Sequence, residues 1–256
     1  MTAPEAIRER VRALQAEIAR LRALQHERDE SEISPEALDS LKHELAVLEA
    51  EYPELITPDS PTQTVAGAVL PELKKVHHAV PQWSLDDAFT EDDIRAFDER
   101  VRRRLGSGET PSYISELKID GAHIILTYEK GILIRAATRG DGVVGEDVTH
   151  TVSTIAGVPK TLPEPRDLIV EGEAYMTKSG FKALNAKRRK AGEPEFANPR
   201  NIVAGSLRQL DPVAAASRPL GMFLYDLESL DTNVPFPETQ DAELEFLRSM
   251  KLPVNP

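Results

Sequence analysis

The pattern of apolar and polar residues predicts a helical start to the chain. From Met1 to Glu51, Leu and Ala recur at helical spacing in "VRALQAEIARLRAL" and "EALDSLKHELAVLEAEY", with the charged "ERDESEIS" between them. This pattern predicts a helical hairpin, in which Ser34 is the N-cap of the second helix and Pro35 its first residue. The next stretch, "YPELITPDSPTQTVAG", is rich in Pro and Thr and predicts an extended linker.

Farther along the chain the apolar period changes from helical to alternating. "TEDDIRAFDERVRRRL" still predicts a helix, because Thr90 offers an N-cap, acids fill the first turn and arginines the last. "HIILTYEKGILIRAATR" then predicts two strands with a tight turn at 129–131, and "DLIVEGEAYM" and "LGMFLYDLE" predict further strands, with a short helix at "KSGFKALNAKRRKAG". Hairpin strands mixed with short helices indicate an α+β domain with mostly antiparallel sheets.

The stretch "SELKIDGAHIIL" holds the strongest candidate for chemistry. Predicted as a strand, it would place Glu116, Lys118 and Asp120 on one face and Leu117 and Ile119 in the core. For a lysine and an aspartate alone, an exposed edge strand with a solvated ion pair is the favoured interpretation. The alternative is a nucleophilic lysine in a cleft, which requires a partly deprotonated amine.

Composition narrows the class of protein. The 256 residues carry a formal net charge of -12, so the chain as a whole has no electrostatic reason to coat nucleic acid. The basic stretches "RVRRR" and "KALNAKRRKAG" predict either solvated helix faces or a contact with a DNA backbone. There is no Cys, and no histidine spacing is typical of a metal site, so we expect no protein-bound zinc. Without an apolar leader or a membrane-length apolar run, we expect a cytoplasmic protein. Nothing in the sequence suggests an obligate partner, so we expect a monomer.

A set of motifs in fixed order resembles one family. "HAVPQWSLDDAF", "ELKIDG", "ATRGDGVVGEDVT", "VEGEAYM", "FANPRNIVAGSLRQLD" and "RPLGMFLYDLE" resemble bacterial NAD-dependent DNA ligases, from about Glu51 to the end of the chain. The resemblance implies a helical-hairpin domain over 1–66, of the type that binds nicotinamide mononucleotide (NMN), and a nucleotidyltransferase (ATP-grasp-like) adenylation domain over 67–256. That domain would stop before the family's later lysine-bearing strands. The implied cofactors are NAD and Mg²⁺, and the implied partner is nicked double-stranded DNA.

The resemblance also assigns roles to individual residues. Lys118 would be the nucleophile that accepts AMP, and Asp120 would orient the lysine or help to hold a metal near the phosphates. Arg200 and Arg208 would face phosphates of the cofactor or of nicked DNA. Six further residues would bind the AMP part of the nucleotide: Glu116 at the adenine amino group, Ser84 and Leu85 along its approach, Arg139 and Glu173 near the ribose, and Tyr225 stacked on adenine.

The hairpin departs from the family pattern. In the family, two tyrosines, a histidine and two aspartates of this hairpin bind the NMN half of NAD. His26 and Asp39 are retained, but Gln25, Pro35 and Leu38 stand where a tyrosine, an aspartate and a tyrosine are expected. Each lost group would remove about 1 kcal/mol or more of binding. The resemblance therefore predicts a weakened NMN site.

The residues alone leave other interpretations open. "TRGDG" could be only a loop, Glu173 could pair with Arg139 as a structural bridge, Tyr225 could be a core tyrosine, and Arg200 and Arg208 could be solvated.

Three functional hypotheses follow. The leading hypothesis is the adenylation region of an NAD-dependent DNA ligase, forming lysyl-AMP for nick sealing in DNA replication and repair, with the isolated chain unable to seal nicks. One alternative is a degenerate ligase-like protein that binds nucleotide or a partner without catalysis. The other is a nucleotidyltransferase that uses ATP.

Overall fold

The structure, a computed structural model, is an α+β fold. It describes 3–27, 33, 35–63, 73–106, 110–196, 198–209 and 216–255. The described helices are α1 Glu5–Glu27, α2 Pro35–Glu51, α3 Glu91–Leu105, α4 Thr149–Val152, α5 Lys178–Ala191, α6 Pro199–Leu207 and α7 Gln240–Ser249. The described strands are β1 Lys75–His77, β2 Ala122–Glu129, β3 Ile132–Thr138, β4 Val144–Glu146, β5 Leu168–Met176 and β6 Leu220–Leu230. The chain forms two compact units, Met1–Gln82 with Ile119–Pro256, and Trp83–Lys118.

The predicted helical hairpin is confirmed in α1 and α2. Its interior consists of Val11, Leu14, Ile18 and Leu45, all almost fully buried. Pro35 is the first residue of α2, as predicted. The predicted N-cap at Ser34 lies outside the described residues, as does the predicted domain boundary at 66/67.

The predicted extended linker is wrong for its described part. Residues 52–63 form a 3-10 helix, Pro53–Leu55, followed by turns. Glu49 of α2 is buried, and its carboxylate accepts hydrogen bonds from the hydroxyls of Ser60 (2.6 Å) and Thr62. A buried carboxylate requires such donors, so the segment folds back onto the hairpin instead of extending away from it.

The central element is a four-stranded antiparallel sheet with strand order β3-β2-β5-β6. The predicted β2–β3 hairpin is confirmed, and its turn has positive φ at Lys130 (49°) and Gly131 (77°). Two successive positive φ values match the right-handed twist of the paired strands, which explains the Gly. The predicted strands at β5 and β6 and the predicted helix α5 are also confirmed.

Strand β6 is not regular along β5. The register pairs Glu171 with Asp226 but Gly172 with Leu224, and Val170 with Leu227 but Ile169 with Ser229. Tyr225 and Glu228 are therefore extra residues in two β-bulges, with no register partner on β5. A bulge re-aims a side chain and increases the local twist of the strand, and bulges are over-represented beside active sites.

The predicted strand over "SELKIDG" is wrong. Residues 110–120 have no regular secondary structure, and β2 begins at Ala122. Ala122 pairs with Ala174, so Ile119 and the residues before it would need partners beyond Met176, where β5 ends and Thr177 caps α5. Without that partner no ladder forms, and Leu117 is 67% exposed instead of lying in the core.

The second unit, Trp83–Lys118, contains α3. Its N-terminus forms the predicted cap: the Thr90 hydroxyl accepts from the Asp93 N–H, and the Asp93 carboxylate accepts from the Thr90 N–H. This reciprocal capping box satisfies two backbone donors that the first turn would otherwise leave open. Among the described residues, no helix is long and apolar enough to cross a membrane.

Candidate active site

The predicted residues Asp120, Arg139, Glu173, Arg200 and Tyr225 come together at one face and one end of the four-stranded sheet. Arg200, in the first turn of α6, lies with its Nη1 3.4 Å from Asp120 Oδ1. Both side chains are about half exposed or more, so this pair remains accessible to a ligand. An exposed pair of this kind contributes little to stability, which leaves the two groups available for binding.

Gly121 connects Asp120 to the sheet. Its N–H donates to Glu173 Oε1 at 3.2 Å, which fixes the carboxylate of β5 beside the start of β2. A Cβ at position 121 would lie 2.0 Å from the carbonyl oxygen of Ala174, so only glycine fits here. The "KIDG" glycine therefore brings the segment that carries Asp120 close to Glu173.

Arg139 follows β3 in a tight loop. Its carbonyl accepts from Gly142 N–H, and also lies 3.0 Å from His78 Nε2, so the loop is held on two sides. Burial lowers the pKa of Arg139, and the neighbouring Arg200 lowers it further. Glu173 and Tyr225 act in the opposite direction, which places these two groups near the guanidinium. "TRGDG" is thus a loop, and the loop positions its arginine at the site.

The hairpin contributes one residue that sequence reasoning missed. Burial lowers the pKa of Arg22 on α1, and Arg139 lowers it further, whereas Asp39 on α2 raises it. Arg22 therefore lies near both residues. Converging arginines of this kind suit an anionic ligand such as a phosphate. Helical spacing alone does not distinguish Arg22 from the other charged residues of α1.

Tyr225 lies on the site face of β6 and is half-buried. Burial is the main cause that raises its pKa, and Glu173 and Glu171 add to the effect, so the phenol stays neutral. Its carbonyl accepts from Gln240 Nε2 at 2.7 Å. The tyrosine therefore does not belong to the apolar core of the sheet, and its ring faces the polar groups of the site.

The same face carries acidic residues that the sequence analysis did not select. Glu171, Asp226 and Glu228 bring one carboxylate oxygen each within 4.8 Å of one another. Burial, followed by the charge of Asp226, raises the pKa of Glu171 to about 7. Burial and Glu171 likewise raise the pKa of Glu228 to about 7. The alternation in "IVEGEAY" already put Glu171 on the face of Glu173, so that signal was present in the sequence.

Other predicted residues are placed elsewhere. Arg208, at the end of α6, donates from Nε to Glu146 Oε2 at 2.8 Å, and Glu146 is 1% exposed. This contact holds a buried carboxylate, so a phosphate role for Arg208 stays a prediction. Asp39 lies on α2 and pairs with Lys42 at 2.8 Å. The His26 side chain lies outside the described residues.

The departure of the hairpin from the family pattern is visible in the structure at Leu38. Leu38, which stands at a predicted aromatic position, packs against the buried interior of the hairpin. An apolar side chain in that position stabilises α1 against α2 and offers no hydrogen-bond donor or stacking face to a ligand.

Four predicted residues belong to the second unit: Ser84, Leu85, Glu116 and Lys118. All four are exposed within it, and Leu85 is 75% exposed. Lys118 is the last residue of that unit, and Asp120 is the second residue of the segment Ile119–Pro256, which belongs to the other unit.

Comparison with known proteins gives a consistent family. The profile of the "NAD-dependent DNA ligase adenylation domain" matches residues 70–256, and that of the "DNA ligase-like, N-terminal NAD+-binding domain" matches residues 4–66. A DNA ligase of Brevibacillus brevis is 46% identical over 96% of this chain and 36% of its own length. DNA ligases of Bacillus velezensis (48% identical, 89% of this chain, 33% of its own length) and Methylococcus capsulatus (44%, 100%, 38%) are similarly related.

The fold is thus of the nucleotidyltransferase type. An antiparallel sheet carries Glu173 and Tyr225, the "KIDG" segment directly precedes strand β2, and a helical hairpin comes first in the chain. The chain belongs to the family of NAD-dependent DNA ligases, of which it contains the adenylation and N-terminal NAD+-binding regions. It spans about a third of the length of the curated relatives it matches.

Proposed function

We propose that this chain performs the adenylation step of an NAD-dependent DNA ligase. The observation that carries the proposal is the convergence of Arg139, Glu173 and Tyr225 beside the exposed Asp120–Arg200 pair. In the sequence, Asp120 follows Lys118 by two positions. The arrangement offers a ring for a base, a carboxylate for a ribose hydroxyl and guanidinium groups for phosphates. A dinucleotide with an adenine end needs these three types of contact.

The reaction transfers AMP from NAD to the chain. The Lys118 amine attacks the α-phosphorus of the adenylyl group, a nitrogen–phosphorus bond forms and the pyrophosphate P–O bond breaks. NMN leaves with the electron pair of that bond, and the lysine loses its proton. Arg139 and Arg200 favour this step by stabilising negative charge on the phosphate oxygens. AMP would later pass to the 5′-phosphate of a nick and be displaced by the 3′-hydroxyl.

A divalent cation would neutralise the developing charge on the phosphates. Mg²⁺ binds through one or two carboxylates together with substrate phosphates and retained waters. Asp120, whose side chain is 61% exposed, fits such a ligand. Glu173, whose Oε1 already accepts from Gly121, is less suited.

Nicked double-stranded DNA is the proposed substrate of the full protein. We propose that the protein is a monomer and acts in the cytoplasm. The chain spans about a third of the length of its curated relatives, and AMP-adduct formation is the part of the reaction that we propose for it.

Mass spectrometry after incubation with NAD and Mg²⁺ tests the proposal. We expect a single AMP adduct that is absent in Lys118→Ala and retained in Lys130→Ala, a control in the exposed turn between β2 and β3. Tryptic mapping should place the adduct on Lys118. No adduct from either NAD or ATP, in a chain that is folded by circular dichroism, would contradict the proposal.

The packing of Leu38 favours a second candidate, a nucleotidyltransferase that takes AMP from ATP. A hairpin that holds Leu38 in its own interior lacks one expected platform for the NMN half. Comparing the rate of adduct formation from ATP and from NAD at equal concentration decides between the two. A faster reaction with ATP would assign the chain to the second class.

A further inference from the structure

His123 lies on β2, on the same face of the sheet as the site. Its register partner on β5 is Glu173, and Ile124 beside it is fully buried in the opposite face. The His123 ring centroid lies 6.2 Å from that of Tyr225, with an angle of 73° between the ring planes. This is an edge-to-face arrangement, the favoured geometry for two aromatic rings.

The imidazole of His123 is held from its other side. Its Nε2 lies 2.9 Å from Glu171 Oε2, and the two side chains are only 14% and 12% exposed. A contact of this length between two largely enclosed side chains leaves the imidazole little room to rotate. Glu171 therefore restricts the orientation of the ring that touches Tyr225.

Tyr225 needs such lateral support because of its place in β6. It is an extra residue in a bulge, so no residue of β5 pairs with its backbone. The His123 ring is the aromatic neighbour that contacts the Tyr225 ring among the described residues.

We propose that His123 is a positioning residue: Glu171 fixes its imidazole, and the imidazole fixes the tilt of the Tyr225 ring on which adenine stacks. The proposal rests on the proposed function of this face as the adenylyl site. It assigns to His123 and Glu171 a role in nucleotide affinity without contact to the reacting atoms.

The pair is sensitive to pH. An ionised Glu171 offers the imidazole a stronger acceptor than a neutral carboxyl does, and the pKa of Glu171 is raised to about 7 by burial and by Asp226. As the pH falls through this value, Glu171 takes up a proton and its hold on His123 weakens. Several other charged or titratable groups face the pair: Glu173 on β5; Asp226, Glu228 and Tyr225 on β6; Arg139 after β3; and His78 after β1.

Calorimetric titration with AMP at about pH 6 and about pH 8 tests this role, since the carboxyl changes its charge between these values. For the unaltered chain we expect weaker AMP binding at the lower pH. His123→Ala should weaken binding at the higher pH by about 3- to 10-fold and reduce the pH dependence, given the usual strength of an aromatic pair. Glu171→Gln should reduce the pH dependence in the same way.

Two further variants complete the test. His123→Gln keeps an N–H donor near Glu171 but has no ring, so we expect intermediate affinity. His77→Ala removes an exposed imidazole from β1 and should change nothing. Thermal melts monitor folding, and if His123→Ala is unfolded, His123→Gln carries the comparison.

Unchanged affinity and an unchanged pH profile in folded His123→Ala or His123→Gln would overturn the proposal. If the AMP adduct on Lys118 still forms in that case, the adenylation function stands and only the role of His123 fails. If the unaltered chain neither binds AMP nor forms the adduct, the proposed function fails, and the proposal fails with it.

Discussion

The two faces of the four-stranded sheet use the same strands for opposite purposes. One face is apolar: Ile124, Leu126, Val170 and Leu224 are each 0% exposed. The other face carries His123, Glu171, Glu173, Tyr225, Asp226 and Glu228. Because neighbouring residues of a strand point to opposite faces, Ile124, Val170 and Leu224 each lie next to a polar site residue, His123, Glu171 and Tyr225 respectively.

The difference shows where stability originates and where it is lost. Burying the apolar face is favourable by roughly 25 cal/mol per Å² removed from water. Holding ionised carboxylates on a partly desolvated face is unfavourable, and the raised pKa values of Glu171 and Glu228 express that cost. The site face is thus retained against stability, a cost commonly seen where a fold serves function.

The largest expected effect is on the apolar face. Leu126→Ala leaves a cavity in the core and should lower the free energy of unfolding by about 2–5 kcal/mol. AMP affinity of the folded fraction should stay unchanged, because the site residues on the opposite face keep their backbone positions. Urea unfolding and calorimetry measure the two quantities. Ile134→Ala on β3, where the side chain is 39% exposed, is the control and should cost less than about 1 kcal/mol. Loss of AMP binding in folded Leu126→Ala would show that the faces are not separable.

The next effect is on the site face and has the opposite sign. The pKa of Glu171 is raised to about 7, so between the ordinary carboxyl pKa and this value the folded protein binds more protons than the unfolded chain. Stability therefore falls as the pH rises through that window. Glu171→Gln should raise the free energy of unfolding by about 1–3 kcal/mol at about pH 8 and change it little at about pH 5. Urea unfolding at both pH values measures this, with the exposed Glu129→Gln as control. Parallel pH profiles for Glu171→Gln and the unaltered chain would refute it.

The smallest effect on stability is expected at the exposed rim. Arg200→Ala removes the 3.4 Å contact with Asp120 and should change the free energy of unfolding by less than about 1 kcal/mol. The rate of AMP-adduct formation should nevertheless fall, because the guanidinium would no longer stabilise the phosphate oxygens. Urea unfolding combined with timed mass spectrometry gives both numbers. A stability loss above about 2 kcal/mol with a normal adduct rate would assign Arg200 a structural role instead.

Periodicity predicted the secondary structure correctly wherever a helix or strand packs against an element that is close to it in sequence. The α1–α2 hairpin, the β2–β3 hairpin and the Thr90 cap depend on neighbours in sequence, and all three are confirmed. The predicted strand before Ala122 is wrong because its existence depends on where β5 ends, about 50 residues later along the chain. Local alternation carries no information about the length of a distant partner.

The site was predictable in part for the same reason. Motifs identified Glu173, Arg139 and Tyr225, and the structure brings them together. Nothing in "GAHIIL" distinguishes His123, whose importance arises from its register across the sheet. The pairing of Arg208 with the buried Glu146 joins residues 62 positions apart, a distance over which local patterns give no signal.

The two bulges of β6 also mean that deleting a single residue would remove part of the site. Tyr225 and Glu228 are each one residue in excess of what the β5 ladder requires. Deleting the codon for Tyr225 would leave Asp226 and Leu224 adjacent, opposite Glu171 and Gly172, as in an unbroken ladder. The sheet would keep its apolar anchors and lose the Tyr225 ring, so a single in-frame deletion would remove part of the proposed site without changing the fold.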